Sequence, residues 1–316
     1  MSLYKRSQED KINGIKRCFF DAQHGRVSLA LERLRDLDDE FPQDAQIAYA
    51  EGLIRKDFIG QGIKARELFE KAYQLDNTHA FAACNATIFA RNEQEFRKWA
   101  KIAQNIAPHD KQLEHLVTGV LSNLDNGVSY YMLNFDASNV HYKEKSFGPS
   151  AAFMELALLS GKMKPDEEVI NRRGRAQCLR SLDAEENRYR ETIMEVYPPH
   201  ERLALHEALT EIERAISLDE YDPELWNLKS AWCYSLWRFE ETISCADKAI
   251  KLRPYNYPKP YQNKANALWC LKRDSEALAN IQEALKQAES SGSISDIEVA
   301  RKIMEDYSTP RRNPSL

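Results

Sequence analysis

Glycine and proline are both scarce in this chain, 11 and 12 residues in 316. Few loops can therefore be long, and few strands can be joined by tight glycine turns, which favours helices over an all-β fold. The six cysteines (Cys18, Cys84, Cys178, Cys233, Cys245 and Cys270) include no C-x-x-C pair. They read as small buried side chains kept in a reducing compartment. No apolar run approaches the roughly 20 residues needed to cross a bilayer, and even Ala151–Leu159, apolar but for Glu155, is far shorter. The first residues turn charged at once, so no signal peptide is expected. These absences predict a cytoplasmic protein without a membrane segment. A basic excess is missing too: 44 basic against 49 acidic residues leave a net charge of -5. Phosphate neutralisation dominates nucleic-acid affinity, so the balance argues against a nucleic-acid partner.

The chemistry-bearing motifs are equally thin. None of the seven histidines falls in an H-E-x-x-H pattern, and His109/His115 and His200/His206 are spaced so that each pair lies on different helix faces. Gly60-Gln-Gly62 lacks the downstream G-K-[ST] of a phosphate loop, and no G-x-S-x-G elbow occurs. No catalytic residue, metal ligand or cofactor is assigned, and the chain reads as a non-enzyme.

What the sequence does contain is a repeat. Between Pro223 and Pro254 an apolar face through Leu225, Leu228, Trp232 and Leu236 is followed by a turn near Arg238. A second face then runs through Phe239, Ile243, Ala246, Ala249 and Ile250. That is helix, short turn, helix, stop. The pattern recurs through Tyr261, Ala265, Leu268 and Leu271, then Ala277, Ile281, Ala284 and Leu285. These units resemble the tetratricopeptide repeat. Trp226 and Tyr261 fall at its aromatic position, Ser230 and Ala265 at its small position in helix A, and Thr242/Ala249 and Ala277/Ala284 at its two small positions in helix B. The second helix-B position then reads as Leu37, Ala72, Ala103, Ala137, Ala176, Ala215, Ala249 and Ala284, close to the period of about 34 residues for this repeat except where it lengthens to 39 twice, from Ala137 to Ala176 and from Ala176 to Ala215.

The resemblance implies an all-α fold, a right-handed α-solenoid of antiparallel helix pairs with about eight units and a C-terminal capping helix. The expected segments are an N-terminal extension (1–10), units one to three (11–108), divergent helical units four to six (109–222), units seven and eight (223–290), a capping helix (291–307) and a disordered tail (308–316). Within the divergent part, an irregular aromatic-rich insertion is expected near 138–149, where helical periodicity fades among Tyr142, Phe147 and Pro149.

In the tetratricopeptide family, set helix-A positions line a concave groove. Transferring them gives a partner-binding set: Phe81, Asn85, His115, Asn227, Tyr234, Lys259, Gln262, Asn266 and Trp269. Amides can pair with an extended backbone, and aromatics supply contact area at low entropy cost. The implied partner is a peptide or helical segment of another protein, with self-association left open. A second reading takes the cluster Arg172, Arg173, Arg175 and Arg180 as an anion or nucleic-acid contact, set against an ordinary solvated face balanced by nearby acids.

Overall fold

The computed structural model describes residues 7–159, 163–192 and 198–308. The expected extension up to residue 6 and tail from 309 onward lie outside the described residues. Among the described residues there are sixteen α-helices and no strand. The chain divides into two units, Met1–Ala208 and Leu209–Leu316.

The first unit opens with three helix pairs: α1 (Gln8–Gln23) with α2 (Val27–Glu40), α3 (Ala45–Phe58) with α4 (Gly62–Leu75), and α5 (Ala80–Ile88) with α6 (Glu93–Ile106). α1 therefore begins inside the stretch expected as an extension. Local chemistry sets the starts. Ser7 and Asp10 form a reciprocal capping box, Asp44 accepts from the Gln46 and Ile47 amides, and Asn92 accepts from Glu95. α7 (Lys111–Asp125), α8 (Tyr130–Lys143), α9 (Phe147–Leu159) and α10 (Pro165–Thr192) follow, then a 3-10 turn at Pro199–Glu201 and α11 (Leu203–Leu218). The second unit contains α12 (Pro223–Ser235), α13 (Phe239–Leu252), α14 (Pro258–Cys270), α15 (Asp274–Ser291) and α16 (Ile294–Ser308). Pro223 and Pro258 each occupy a first helical turn, where a missing N–H costs nothing.

The irregular insertion expected near 138–149 is not there. α8 runs unbroken to Lys143 and α9 begins at Phe147. The turn between them is the same as in the α1–α2, α12–α13 and α14–α15 pairs. Gly25, Lys145, Trp237 and Lys272 all take positive φ (67°, 60°, 59° and 63°). In each case that residue's N–H bonds a carbonyl three residues back, the next N–H bonds one five back, and the second helix starts after it. Ser138, Ser150 and Ala157 stand at the same spacings from Lys145 as Ser230, Thr242 and Ala249 stand from Trp237. All six are buried. The fourth pair is therefore α8 with α9, not α7 with α8, and α8 packs chiefly against α9.

Ala137 is accordingly the one expected helix-B position that is only half-buried; Leu37, Ala72, Ala103, Ala176, Ala215, Ala249 and Ala284 are all buried. The stretch lacks an amphipathic signature for a physical reason. α9 is covered on nearly every side, with Gly148, Ser150–Met154, Leu156 and Ala157 all buried. α8 buries the polar residues Asn134 and Ser138. A helix apolar all round, or one turned inward on serine and asparagine, shows no stripe. The buried hydroxyls are satisfied: Ser138 Oγ donates to the Ser150 carbonyl (2.9 Å) and Ser150 Oγ to the Ser138 carbonyl (3.0 Å).

α9 and α10 also reach back to the earlier pairs. They lie across the turns that join the two helices of each of the first three pairs. At the first turn, Arg190 Nε donates to the Gly25 carbonyl (2.5 Å), and a Cβ on Gly25 would meet the Glu186 backbone. The second turn places Gly60 against Ala151 and Leu179, and Gly62 against the Ala152 backbone. Past the third helix A, Phe89 stacks on Phe153 with ring centroids 4.9 Å apart. Arg175 fastens this strap. It is 1% exposed, pairs with Glu155 (3.2 Å) and Glu207 (4.0 Å), and reaches the Gly60 carbonyl. Glu155 in turn accepts from the Ile63 N–H at the start of α4 (3.0 Å). Asp183, fully buried, receives two hydrogen bonds from Arg202.

Candidate partner-binding surfaces

The expected groove residues fall into two groups. In the second unit the capping helix α16 covers Gln262, Asn266 and Trp269. Tyr307 lies on Trp269 with ring centroids 4.2 Å apart and planes 10° apart, and its hydroxyl donates to Asn266 Oδ1 (2.8 Å). Gln262 is buried and donates to the Asp296 carbonyl (3.4 Å). Asn227 is buried too, its Oδ1 accepting from Asn263 (3.1 Å). These four side chains spend their groups inside the chain rather than presenting them to a groove. A terminal helix pair exposes an apolar face that needs a lid, and α16 is that lid. Tyr234 stays half-buried beside Phe239 and the exposed Cys270, while Lys259 is exposed.

In the first unit Phe81 and His115 are exposed and Asn85 is half-buried. Phe81 is 69% exposed on α5, an unusual place for a large apolar side chain. One turn on, Asn85 donates to the Tyr49 hydroxyl (3.2 Å) and to the Phe81 carbonyl (2.9 Å), which holds its amide in place. His115 stands exposed on a separate helix, α7.

The four arginines of the basic cluster are not assembled into one site. Arg175 is buried on carboxylates as described, Arg172 pairs with Glu168 (2.6 Å) and Arg180 with Asp183 (3.3 Å). Arg173 is half-buried on the same helix. Arg172 and Arg180 are thus neutralised by acids one helical turn away, the ordinary i,i+4 and i,i+3 pattern.

The sequence also allows a pocket formed with the aromatic-rich stretch 127–149 as an alternative to the groove, and the first unit has a cavity of about 340 Å³ where the strap meets the turns, with Lys145, Phe147 and Pro149 in its lining. Val27 and Phe58 come from the first two pairs, Phe147 from the start of α9, and Leu182 and Tyr189 from α10. Asp57, Lys145, Glu185 and Glu186 add charge to the lining. A pocket this size falls in the range that holds a small ligand or one large side chain. Beside it, His141 stacks on Phe153 with centroids 5.4 Å apart and planes 8° apart, and burial pulls its imidazole below the usual histidine range.

Among the described residues no group of His, Cys, Asp and Glu side chains is arranged to hold a metal ion. No helix there is long and apolar enough to cross a membrane. No family model and no curated protein matches the chain. Solved structures similar to it include YrrB, described as a TPR protein with an unusual peptide-binding site. That likeness is 13% identity over 85% of this chain and 97% of the other, with a TM-score of 0.36. The P58(IPK) TPR domain is 12% identical over 95% and 100%, with a TM-score of 0.34. The TPR2AB domain of yeast Sti1, solved in a complex with pHSP90, is 16% identical over 84% and 98%, with a TM-score of 0.32.

Proposed function

We propose that this chain is a non-catalytic scaffold that holds a segment of another protein along the helix-A surface of its first unit. The observation that carries the reading is Phe81, a large apolar ring 69% exposed on a helix-A position. Beside it stands Asn85, whose side-chain amide is oriented by Tyr49. An exposed aromatic anchor next to a positioned amide suits an extended or helical segment, the ring burying area and the amide pairing with backbone. The corresponding surface at the end of the second unit is closed by α16, so the first unit is the better host.

The test replaces Phe81 with a photo-crosslinking phenylalanine derivative in the full chain, with the same replacement at exposed Ile170 as control. Proteins captured from position 81 but not from 170, and lost from the surface in a Phe81→Ala/Asn85→Ala variant assayed by pull-down, are expected. Identical capture from both positions, unaffected by the double substitution, would overturn the assignment.

A further inference from the structure

The geometry points to a second recognition site, independent of the Phe81 surface: the cavity under the strap receives an arginine or lysine side chain from a partner peptide. Two properties of the cavity must be met at once. Its interior is apolar, formed by Val27, Phe58, Phe147 and Leu182. Its remaining lining carries Asp57, Glu185 and Glu186 against a single cation, Lys145. A purely aliphatic side chain would satisfy the interior and leave the carboxylates unused. An acidic side chain would meet three like charges. Lysine and arginine combine an aliphatic stem with a cationic head, and so match both.

Asp57 is paired with its neighbour Lys56 (2.9 Å) and Glu185 with Arg188 (3.9 Å), and the long Glu185 pair lies on an exposed side chain, so its carboxylate can turn to a cation arriving at the cavity. Lys145 is exposed as well, held in position by the positive-φ turn between α8 and α9. The walls are rigid where a stem would lie. A Cβ on Gly148 would come within 1.9 Å of the Asp57 carbonyl oxygen, so the first turn of α9 is seated hard on the end of α3. A preformed cavity spares the ligand the cost of building it.

Capped tripeptides acetyl-Ala-Arg-Ala-amide, acetyl-Ala-norleucine-Ala-amide and acetyl-Ala-Glu-Ala-amide are titrated into the full chain. Binding is followed by amide chemical shifts, with Gly25, Phe58 and Gly148 as reporters. The arginine peptide should move all three reporters, the norleucine peptide should bind about fivefold more weakly, and the glutamate peptide should leave them unmoved. Glu185→Gln should erase the preference of arginine over norleucine without abolishing norleucine binding. Lys145→Gln should strengthen arginine binding. Both substitutions are at exposed positions, and neither is expected to alter the fold. The proposal is overturned if the arginine peptide leaves the reporters unmoved, if the glutamate peptide binds as well, or if arginine and norleucine are indistinguishable in the unmodified chain.

Discussion

Two glycines in the strap make opposite predictions from the same substitution. At Gly148 an added methyl meets the Asp57 carbonyl oxygen and carbon, which are backbone and cannot swing away. Gly148→Ala should destabilise the chain by about 1–3 kcal/mol, read as a lower denaturant midpoint at unchanged slope. At Gly174, within α10, the nearest atom is the flexible end of Met154 at 3.9 Å. Gly174→Ala should be neutral or stabilising by up to about 1 kcal/mol, because the unfolded chain loses freedom. His141 gives a pH dependence with a definite sign. Burial lowers its folded pKa below the unfolded value of about 6.5, so the unfolded state takes up a proton first. Its contribution is intact above that value and is lost as pH falls from there towards the folded pKa. His141→Gln should flatten the fall in urea midpoint between about pH 7.5 and about pH 5.5; an unchanged fall would place the titration elsewhere. At this scale the small positions were legible wherever they interrupted a clear apolar stripe. Ser230, Ala265 and their helix-B partners were readable, while Ser138 and Ser150, at equivalent spacings, were hidden because two serines facing each other look polar until their mutual hydrogen bonds are seen. The groove residues were transferred by register alone, and register cannot say that Tyr307, some forty residues downstream, will lie on Trp269 and Asn266.

Helices were legible as elements because their ends carry capping chemistry and most have one apolar stripe. The second-unit pairs and the first three pairs follow the expected order, and the terminal helix α16 covers the last pair as a cap should. What could not be read was the destination of α9 and α10. Their lengthened spacing was visible, but the sequence-level explanation, a loop excursion, put the irregularity in the wrong place. The cause is tertiary: these two helices fold onto turns far away in sequence. Arg175 is where this contact is concentrated. Removing it as Arg175→Ala leaves the part-exposed Glu155 and Glu207 without their buried cation, and should cost about 1–3 kcal/mol. Hydrogen exchange should show the loss in α9, α10 and the turns around Gly25 and Gly60, while the α12–α15 pairs keep their protection. A uniform loss along the chain would refute the strap as a local element.

For the whole molecule, the scarcity of glycine and proline was the most reliable guide, since it excluded a sheet-and-turn architecture before any motif was weighed. All six cysteines are free, and five of them are half-buried or buried. Thermal unfolding should therefore have the same midpoint with and without reductant, and a lower midpoint in reductant would reveal a disulfide. The strap has a further consequence for how such a chain can change over time. An open row of identical helix pairs can grow or shrink by duplicating or deleting a pair, because each contacts only its neighbours. Here α10 must meet the first turn at Arg190 and the second at Arg175, while α9 must meet the third pair at Phe153. A pair inserted among the first three would move one of those three footings out of reach. The first unit is thus closed to gain and loss of repeats, and length variation is left to the junctions that face away from the strap, such as those around Gln43 and Thr78.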